Sequence, residues 1–227
     1  MKIEVGSTAM IMTALSLRTG KEKKRDYLGV SSLGEECDKK LWYKYHKPEL
    51  ANKVEPRIQA IFDMGHIIEK YIVDLLIETG MEVYDKQADG SQFEAIYKEK
   101  IKGHIDGVIK GIPESDKPHL LEVKSMNDKN FSKLGKDKVE YAFPHYWVQC
   151  QVYMYLFKLD KCLFVAMNKN DCEIYTERFS LDSIQAEAWL KRGLEITDKK
   201  EEEVARKFAT KSFYKCKMCD FNTACWA

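Results

Sequence analysis

Asp106, Glu122 and Lys124 are of the types, and at the spacing, that could hold a divalent cation against a phosphate. Asp106 stands in GHIDG, flanked by glycines, and LEVKS with Glu122 and Lys124 follows sixteen residues later. In extended backbone alternate side chains share a face, so Glu122 and Lys124 point the same way. Two converging carboxylates bind a hard cation through oxygen. A lysine beside them can orient water and stabilise charge on a phosphoryl group. Either motif alone reads as a solvated strand face beside a Gly-Asp-Gly turn. In this order and spacing, the two together read as a site.

The second cluster is sulfur. Seven cysteines are an odd number, and no export signal is evident, which argues against a disulfide framework and for metal or cluster ligation. Cys216, Cys219 and Cys225 place three thiols within ten residues. A tetrahedral zinc site or a cubane cluster needs a fourth. Cys37, in GEECDKKLW, is the best candidate. Cys150, Cys162 and Cys172 fall in helix or strand patterns, where buried free thiols are common.

Periodicity supplies the elements that must position these groups. Residues 30–46 read as a turn and a short helix. A long amphipathic helix over about 56–79 carries Ile58, Ile61, Phe62, Ile68, Ile72, Leu75 and Leu76 at helical spacing and ends at Gly80. Within it Gly65 and Glu69 share a face at the border of that stripe, where a carboxylate needs a partner, a lysine or a metal. Residues 92–101 and 104–110 read as paired strands joined near Lys102-Gly103, and 119–124 as another strand after PESDKP. Pro144 opens a helix to about Lys158, with Trp147, Val148, Val152 and Leu156 as a core stripe. Residues 162–168 and 172–179 read as a strand pair, and about 181–208 as a charged helix. The order implies an α/β (α+β) fold, a mixed sheet flanked by helices. The expected organisation is an N-terminal arm, 1–29, and a single domain, 30–227. Its core spans about 56–180, and its thiol-bearing segments are 30–46 and 209–227.

Composition excludes a membrane span, since no apolar run approaches eighteen residues. With no leader evident, the expected location is the cytoplasm. A formal net charge of +1 leaves nucleic-acid binding to local patches. Basic clusters occur at Lys21–Arg25 and Lys133–Lys138, each also readable as solvated surface. KKLWYKYHKPE interleaves Trp42, Tyr43 and Tyr45 with basic residues. That pattern suits stacking on single-stranded DNA and equally suits packing around a thiol-bound centre. No Gly-x-x-x-x-Gly-Lys-Ser/Thr loop is present, so a helicase–nuclease fusion is not expected.

The Asp106, Glu122, Lys124 pattern resembles the PD-(D/E)XK superfamily, and within it the RecB-like nucleases. The resemblance implies a restriction-endonuclease-like core in which Asp106 and Glu122 bind Mg2+ or Mn2+. It further implies that Val123 adds its backbone carbonyl and that Lys124 contacts the attacking water or the scissile phosphate. MGHIIEKYI resembles the upstream family helix. Many relatives carry a metal-binding His where this chain has Glu69, and His66 is displaced in register, so either could be the upstream ligand. HYWVQCQVYMYLF resembles the family's Gln-x-x-x-Tyr helix, which touches DNA. Gln149 with Tyr153 is the preferred match, and Gln151 with Tyr155 fits the same spacing.

One upstream and three C-terminal cysteines resemble the iron–sulfur subgroup, which includes the AddB nuclease domain and CRISPR-associated RecB-like exonucleases. The resemblance implies a [4Fe–4S] cluster on Cys37, Cys216, Cys219 and Cys225 that ties the chain's ends together, with zinc as the alternative. It implies a metal-dependent exonuclease hydrolysing DNA at free ends, with single-stranded DNA as the expected substrate. Recombination or repair, phage DNA metabolism and CRISPR adaptation are the settings it suggests, with a homo-oligomer or a recombination or adaptation protein as partner. The alternatives are a DNA-binding accessory protein with a vestigial site and an endonuclease on structured DNA.

Overall fold

The computed structural model describes residues 6–19 and 25–227. Of the basic cluster Lys21–Arg25, all but Arg25 lies outside the described residues. The stretch read as an arm contributes a helix, α1 (Ser7–Thr19), and a short strand, β1 (Leu28–Gly29). Arg18 of α1 pairs with Asp63 at 2.5 Å, on the next long helix.

Then come α2 (Asp38–His46) and α3 (Pro56–Glu78). Pro56 sits in the first turn of α3, where its fixed φ suits a helix and its missing N–H costs nothing. The chain leaves α3 through Gly80 at φ +89, a conformation glycine adopts without strain. Four short strands follow, β2 (Glu82–Tyr84), β3 (Glu94–Tyr97), β4 (Ile101–His104) and β5 (Gly107–Lys110). The long strand β6 (His119–Met126) leads to helices α4 (Asp128–Ala142) and α5 (Pro144–Phe157). Strands β7 (Lys161–Asn168) and β8 (Ile174–Ser180) and helix α6 (Ser183–Asp198) complete the regular core. Two single-turn helices, α7 (Tyr214–Lys217) and α8 (Asn222–Cys225), carry Cys216 and Cys225, with Cys219 between them.

The strands form two mixed sheets. One has the order β2-β5-β6-β7-β8 and the other β1-β4-β3. Within the first, β6 and β7 are parallel and the remaining pairs antiparallel. Strands β6 and β7 are buried almost throughout, as central strands covered on both faces should be. Leu121, Val123, Leu163 and Val165 face Ile68, Ile72 and Val73 of α3. Leu120, Phe164 and Ala166 face Val148 and Val152 of α5. The molecule is thus a mixed α/β sandwich with helices on both faces. Alternation puts Glu122 and Lys124 on the α5 face with Leu120 and Met126.

Several expectations are corrected. Residues 92–101 and 104–110 do not pair across Lys102-Gly103. The hairpin joins β3 to β4, and its turn is Lys98-Glu99, both at positive φ. Such a turn usually announces itself with Asn-Gly or Asp-Gly, which this one lacks. After His104 the chain crosses to the other sheet, where β5 pairs with β2 and β6. The helix expected to reach 208 stops at Asp198, where Lys199 turns extended. Helix α4 was not foreseen, and Lys133–Lys138 lie on it. Ile61 and Phe62 of the α3 stripe are exposed, because that end of the helix lies beyond the sheet. Trp42 and Tyr43, considered for stacking on DNA, are 5% and 4% exposed. Trp42 Nε1 donates to the Lys199 carbonyl at 2.8 Å and Tyr43 Oη to Glu201 at 2.7 Å, while the Tyr43 ring stacks on Phe221. These rings dock α2 onto the C-terminal segment.

Candidate active site

The site lies where β5 parts from β6. Their pairing ends at Gly107 opposite Leu121. Two residues beyond, the Val123 N–H donates to Asp106 Oδ2 at 2.7 Å. In extended backbone a residue's N–H and C=O point to the same side, so the Val123 carbonyl also faces Asp106. Gly107 lets the end of β2 come close, since a Cβ there would lie 3.0 Å from the Tyr84 carbonyl oxygen. That approach brings Asp85 beside Asp106. His66, Glu69, Asp85 and Asp106 line one cavity of about 600 Å3.

Glu122 is wholly buried. Its Oε1 accepts from the Lys124 ammonium and, at 2.6 Å, from Gln149 Nε2. Its Oε2 is buried and has no hydrogen-bond partner among the described residues, an unusual state for a carboxylate oxygen. The Lys124 ammonium lies 5.3 Å from the centre of the Tyr146 ring. Tyr153 packs against Gly103, where a Cβ would collide with its ring. Gln149 and Tyr153 also line a groove of about 520 Å3 with Arg25, Lys102 and His104. Gln151 points elsewhere: it donates to the Ser180 carbonyl and accepts from the Asp182 N–H. The two Gln–Tyr matches are thereby separated, and only Gln149 reaches Glu122.

The electrostatics record an excess of negative charge. Burial, then the charge of Asp106, pushes Glu69 up to about 7, with Asp85 adding to it. Burial likewise pushes Glu122 up to about 7, reinforced by Asp106 and opposed by Lys124. Asp106 is raised by burial, against the pull of Lys124 and the Val123 N–H. Burial alone would lower Lys124, but Glu122 and Asp106 outweigh it and hold the ammonium charged. Converging carboxylates against one ammonium leave room for further positive charge.

Cys37, Cys216, Cys219 and Cys225 line a second cavity, walled by Tyr43 and Phe221 and flanked by Lys40 and Arg206. Cys150 and Cys162 are buried free thiols hydrogen-bonded to each other in the core, and Cys172 is exposed on a turn. None of these three lines the cavity. Among the described residues, no three His, Cys, Asp or Glu side chains stand close enough together to hold a metal ion as placed. The donors nonetheless fit in kind. Oxygen donors with an orphaned Glu122 Oε2 suit a hard divalent cation, and four thiols around one cavity suit iron or zinc.

Asp85 is the site residue that sequence reasoning missed. It follows a three-residue strand and belongs to no motif; only the β2–β5 pairing brings it to Asp106.

No family model matches this sequence, and no curated protein is similar to it. The fold does match solved structures. The chain aligns with SSO0001 over 98% of its own length and 98% of that protein's, at 18% identity and a TM-score of 0.56. It aligns with LHK-Exo, an alkaline exonuclease from Laribacter hongkongensis, over 86% of its length and 94% of that chain, at 16% identity and a TM-score of 0.50. The complex of LHK-Exo with dAMP aligns at 18% identity and a TM-score of 0.51, over 83% of this chain and 93% of that one. The protein therefore shares its mixed α/β fold with SSO0001 and LHK-Exo. No helix among the described residues is long and apolar enough to cross a membrane.

Proposed function

We propose that this protein is a metal-dependent DNA exonuclease that hydrolyses phosphodiester bonds at free ends, with single-stranded DNA as its substrate. The observation that carries the reading is the convergence of Asp106, Glu122 and Lys124, with Glu122 Oε2 buried and unpartnered. The fold it shares with LHK-Exo, an exonuclease solved with dAMP, adds support.

Asp106, Glu122, the Val123 carbonyl and Glu69 are the groups that would hold Mg2+ or Mn2+. The cation, when bound, supplies Lewis acidity and neutralises charge on the phosphate. The remaining work belongs to the chain. Gln149 fixes the Glu122 carboxylate by its amide N–H. Lys124, steadied by Glu122 and Tyr146, presents a permanent positive charge to the scissile phosphate. Arg25, Lys102 and His104 line the groove beside Gln149 and receive the DNA backbone. His66 and Asp85 line the same cavity as Glu69 and Asp106.

Cys37, Cys216, Cys219 and Cys225 are proposed to hold a [4Fe–4S] cluster with a structural role. Lys40 and Arg206 beside them would offset its negative charge. Iron and sulfide in anaerobically purified protein support that assignment, whereas zinc alone overturns it.

The test of function is cleavage of end-labelled linear single-stranded DNA with Mn2+, beside a circular strand of the same sequence. The wild type should degrade the linear strand, and Asp106→Ala, Glu122→Ala and Lys124→Ala should not. Undiminished cutting by these variants would remove the site, and efficient cutting of circles would make the enzyme an endonuclease.

A further inference from the structure

Trp42 and Tyr43 are spent on packing, but a second aromatic–basic stretch is not. Residues 205–219 contain Arg206, Lys207, Lys211, Lys215 and Lys217 and no acidic residue. Through them run Phe208, Phe213 and Tyr214. The rings of Phe208 and Phe213 stack at 4.5 Å between centres, and Tyr214 continues the row 4.8 Å beyond Phe213. Unlike Tyr43, these rings reach solvent: Tyr214 is 60% exposed, Phe213 37%, and the neighbouring Met218 80%. A row of rings and a thioether in water, set among cations, is unfavourable ground for a free surface.

Local ion pairing does not cancel the charge. Lys215 and Lys207 both converge on one carboxylate, Glu36. Arg206 donates to the Cys225 carbonyl, which carries no formal charge. Surplus positive charge therefore stands beside exposed π-faces, with Lys215 near the rings of both Phe208 and Tyr214.

The position is informative too. An open cleft of about 1180 Å3 has Phe208, Tyr214 and Lys215 on one wall and Ser31, Gly34 and His145 on the other. His145 immediately precedes Tyr146, whose ring carries the Lys124 ammonium. Gly34 keeps the cleft's inner wall tight, since a Cβ there would lie 2.5 Å from the His145 Cα. The cleft, which Glu35, Glu36 and three of the thiols also line, thus brings the ring row to His145, the residue before Tyr146.

We propose that the Phe208–Phe213–Tyr214 row, with Lys211, Lys215 and Lys217, is a stacking platform for single-stranded DNA, which the cleft joins to the active centre. The chemistry selects this occupant. Cations follow a phosphate backbone without reading sequence, and rings take any unpaired base on their faces. A duplex buries its base faces and gains only the charge. The proposal rests on the nuclease reading for its purpose but not for its binding chemistry, so the two can fail separately.

The experiment measures binding of fluorescent oligo(dT) of about 20 nucleotides to anaerobically purified protein without added divalent metal, over a salt series, beside a duplex of equal length. Tyr214 is exposed, so Tyr214→Ala should leave the fold intact; it is expected to weaken oligo(dT) binding about tenfold and duplex binding little. Tyr214→Trp should restore binding, because it returns the π-face without the hydroxyl. Lys211→Ala combined with Lys217→Ala should lower the slope of log Kd against log salt by about 1 to 2 in all. The platform is overturned if Tyr214→Ala binds oligo(dT) within twofold of wild type, if Trp does not restore it, or if duplex binding falls equally. Tyr214-dependent binding by a wild-type protein that cuts no DNA would keep the platform and remove the nuclease.

Discussion

Glu122 and Lys124 lie on a central strand paired on both sides, whereas Cys216 and Cys225 lie on two single-turn helices and Cys219 on the loop between them. The carboxylate centre is placed by sheet register. Its donors come from β6, the start of β5, α3 and α5, and each of those elements is anchored in the core. The thiol cavity is placed by a few docking contacts: the Tyr43–Phe221 stack, the Trp42 bond to Lys199 and the ion pairs of Glu36 and Glu201. The first arrangement is held by the core alone, against the cost of its converging carboxylates. The second would be held by the centre proposed for its thiols. Substitutions at the two centres should therefore separate activity from stability in opposite directions.

The largest separation is expected at Glu122. Glu122→Gln keeps the side chain's shape and its place beside Gln149 but removes a buried carboxylate. Cleavage should fall by about 10²- to 10³-fold, in the range found when one preorganised electrostatic partner is lost. Stability should change little, because Asp106 still faces the Lys124 ammonium and the burial cost of the Glu122 charge is relieved. Single-turnover cleavage and thermal melting, measured on the same preparation, check both halves. A fall in Tm of more than about 5 °C, roughly 1–2 kcal/mol for a chain of this size, would make Glu122 a structural residue.

Cys216→Ala should behave in the reverse way. A ligated centre linking Cys37 to the C-terminal thiols closes a loop of most of the chain. Loss of such a clip removes about 4 kcal/mol by loop-closure reasoning, hence about 10 °C in Tm. Iron content should fall with it. Residual cleavage, measured below the new Tm, should stay within about tenfold of wild type, since no thiol lines the carboxylate cavity. Loss of cleavage as complete as in Glu122→Gln, with Tm unchanged, would reverse the assignment of the two centres.

The same contrast explains what could be read from the chain. Asp106, Glu122 and Lys124 were legible because a period-two strand and flanking glycines leave a local signature, and the thiols because Cys spacing does. That Glu122 and Lys124 share a face followed from alternation alone. Asp85 was not legible, because it is brought in by pairing between β2 and β5, a long-range event with no local mark. Helix α4 was obscured by its own irregularity: Lys138 takes φ +61 inside it, and only Leu134, Val139 and Ala142 of its fifteen residues are buried. The Lys98-Glu99 turn hid for a similar reason, since neither residue favours the left-handed region it occupies. Of the two readings of the aromatic–basic stretch 39–47, packing is the one its buried rings bear out. Interleaving of rings and cations is the same in 39–47 and 206–218, and only burial tells the core rings from the exposed row.

The smallest expected effect sharpens the comparison from the cysteine side. Glu201 accepts from Lys47 Nζ at 2.7 Å and from Tyr43 Oη at 2.7 Å, and so pins the end of α2 to the segment after α6. The hydrogen bond from Lys47, with that from Tyr43, holds its carboxyl down at about 2, against an ordinary 4.5. A depressed carboxyl contributes stability that is fully present above its unfolded value and is lost as pH falls through the folded one. Its contribution should therefore fade between about pH 4.5 and 2 and be constant at neutral pH. About a third of the side chain is exposed, so solvent screening keeps the effect small, a few degrees at most. Glu201→Gln should lower Tm slightly at pH 7, and the gap to wild type should close as the pH is taken from 5 towards 3. Comparing the two proteins at each pH cancels any acid lability of the thiol centre common to both. A gap that stays constant with pH would mean that Glu201 acts through shape, and that the cysteine segment is docked by packing instead of charge.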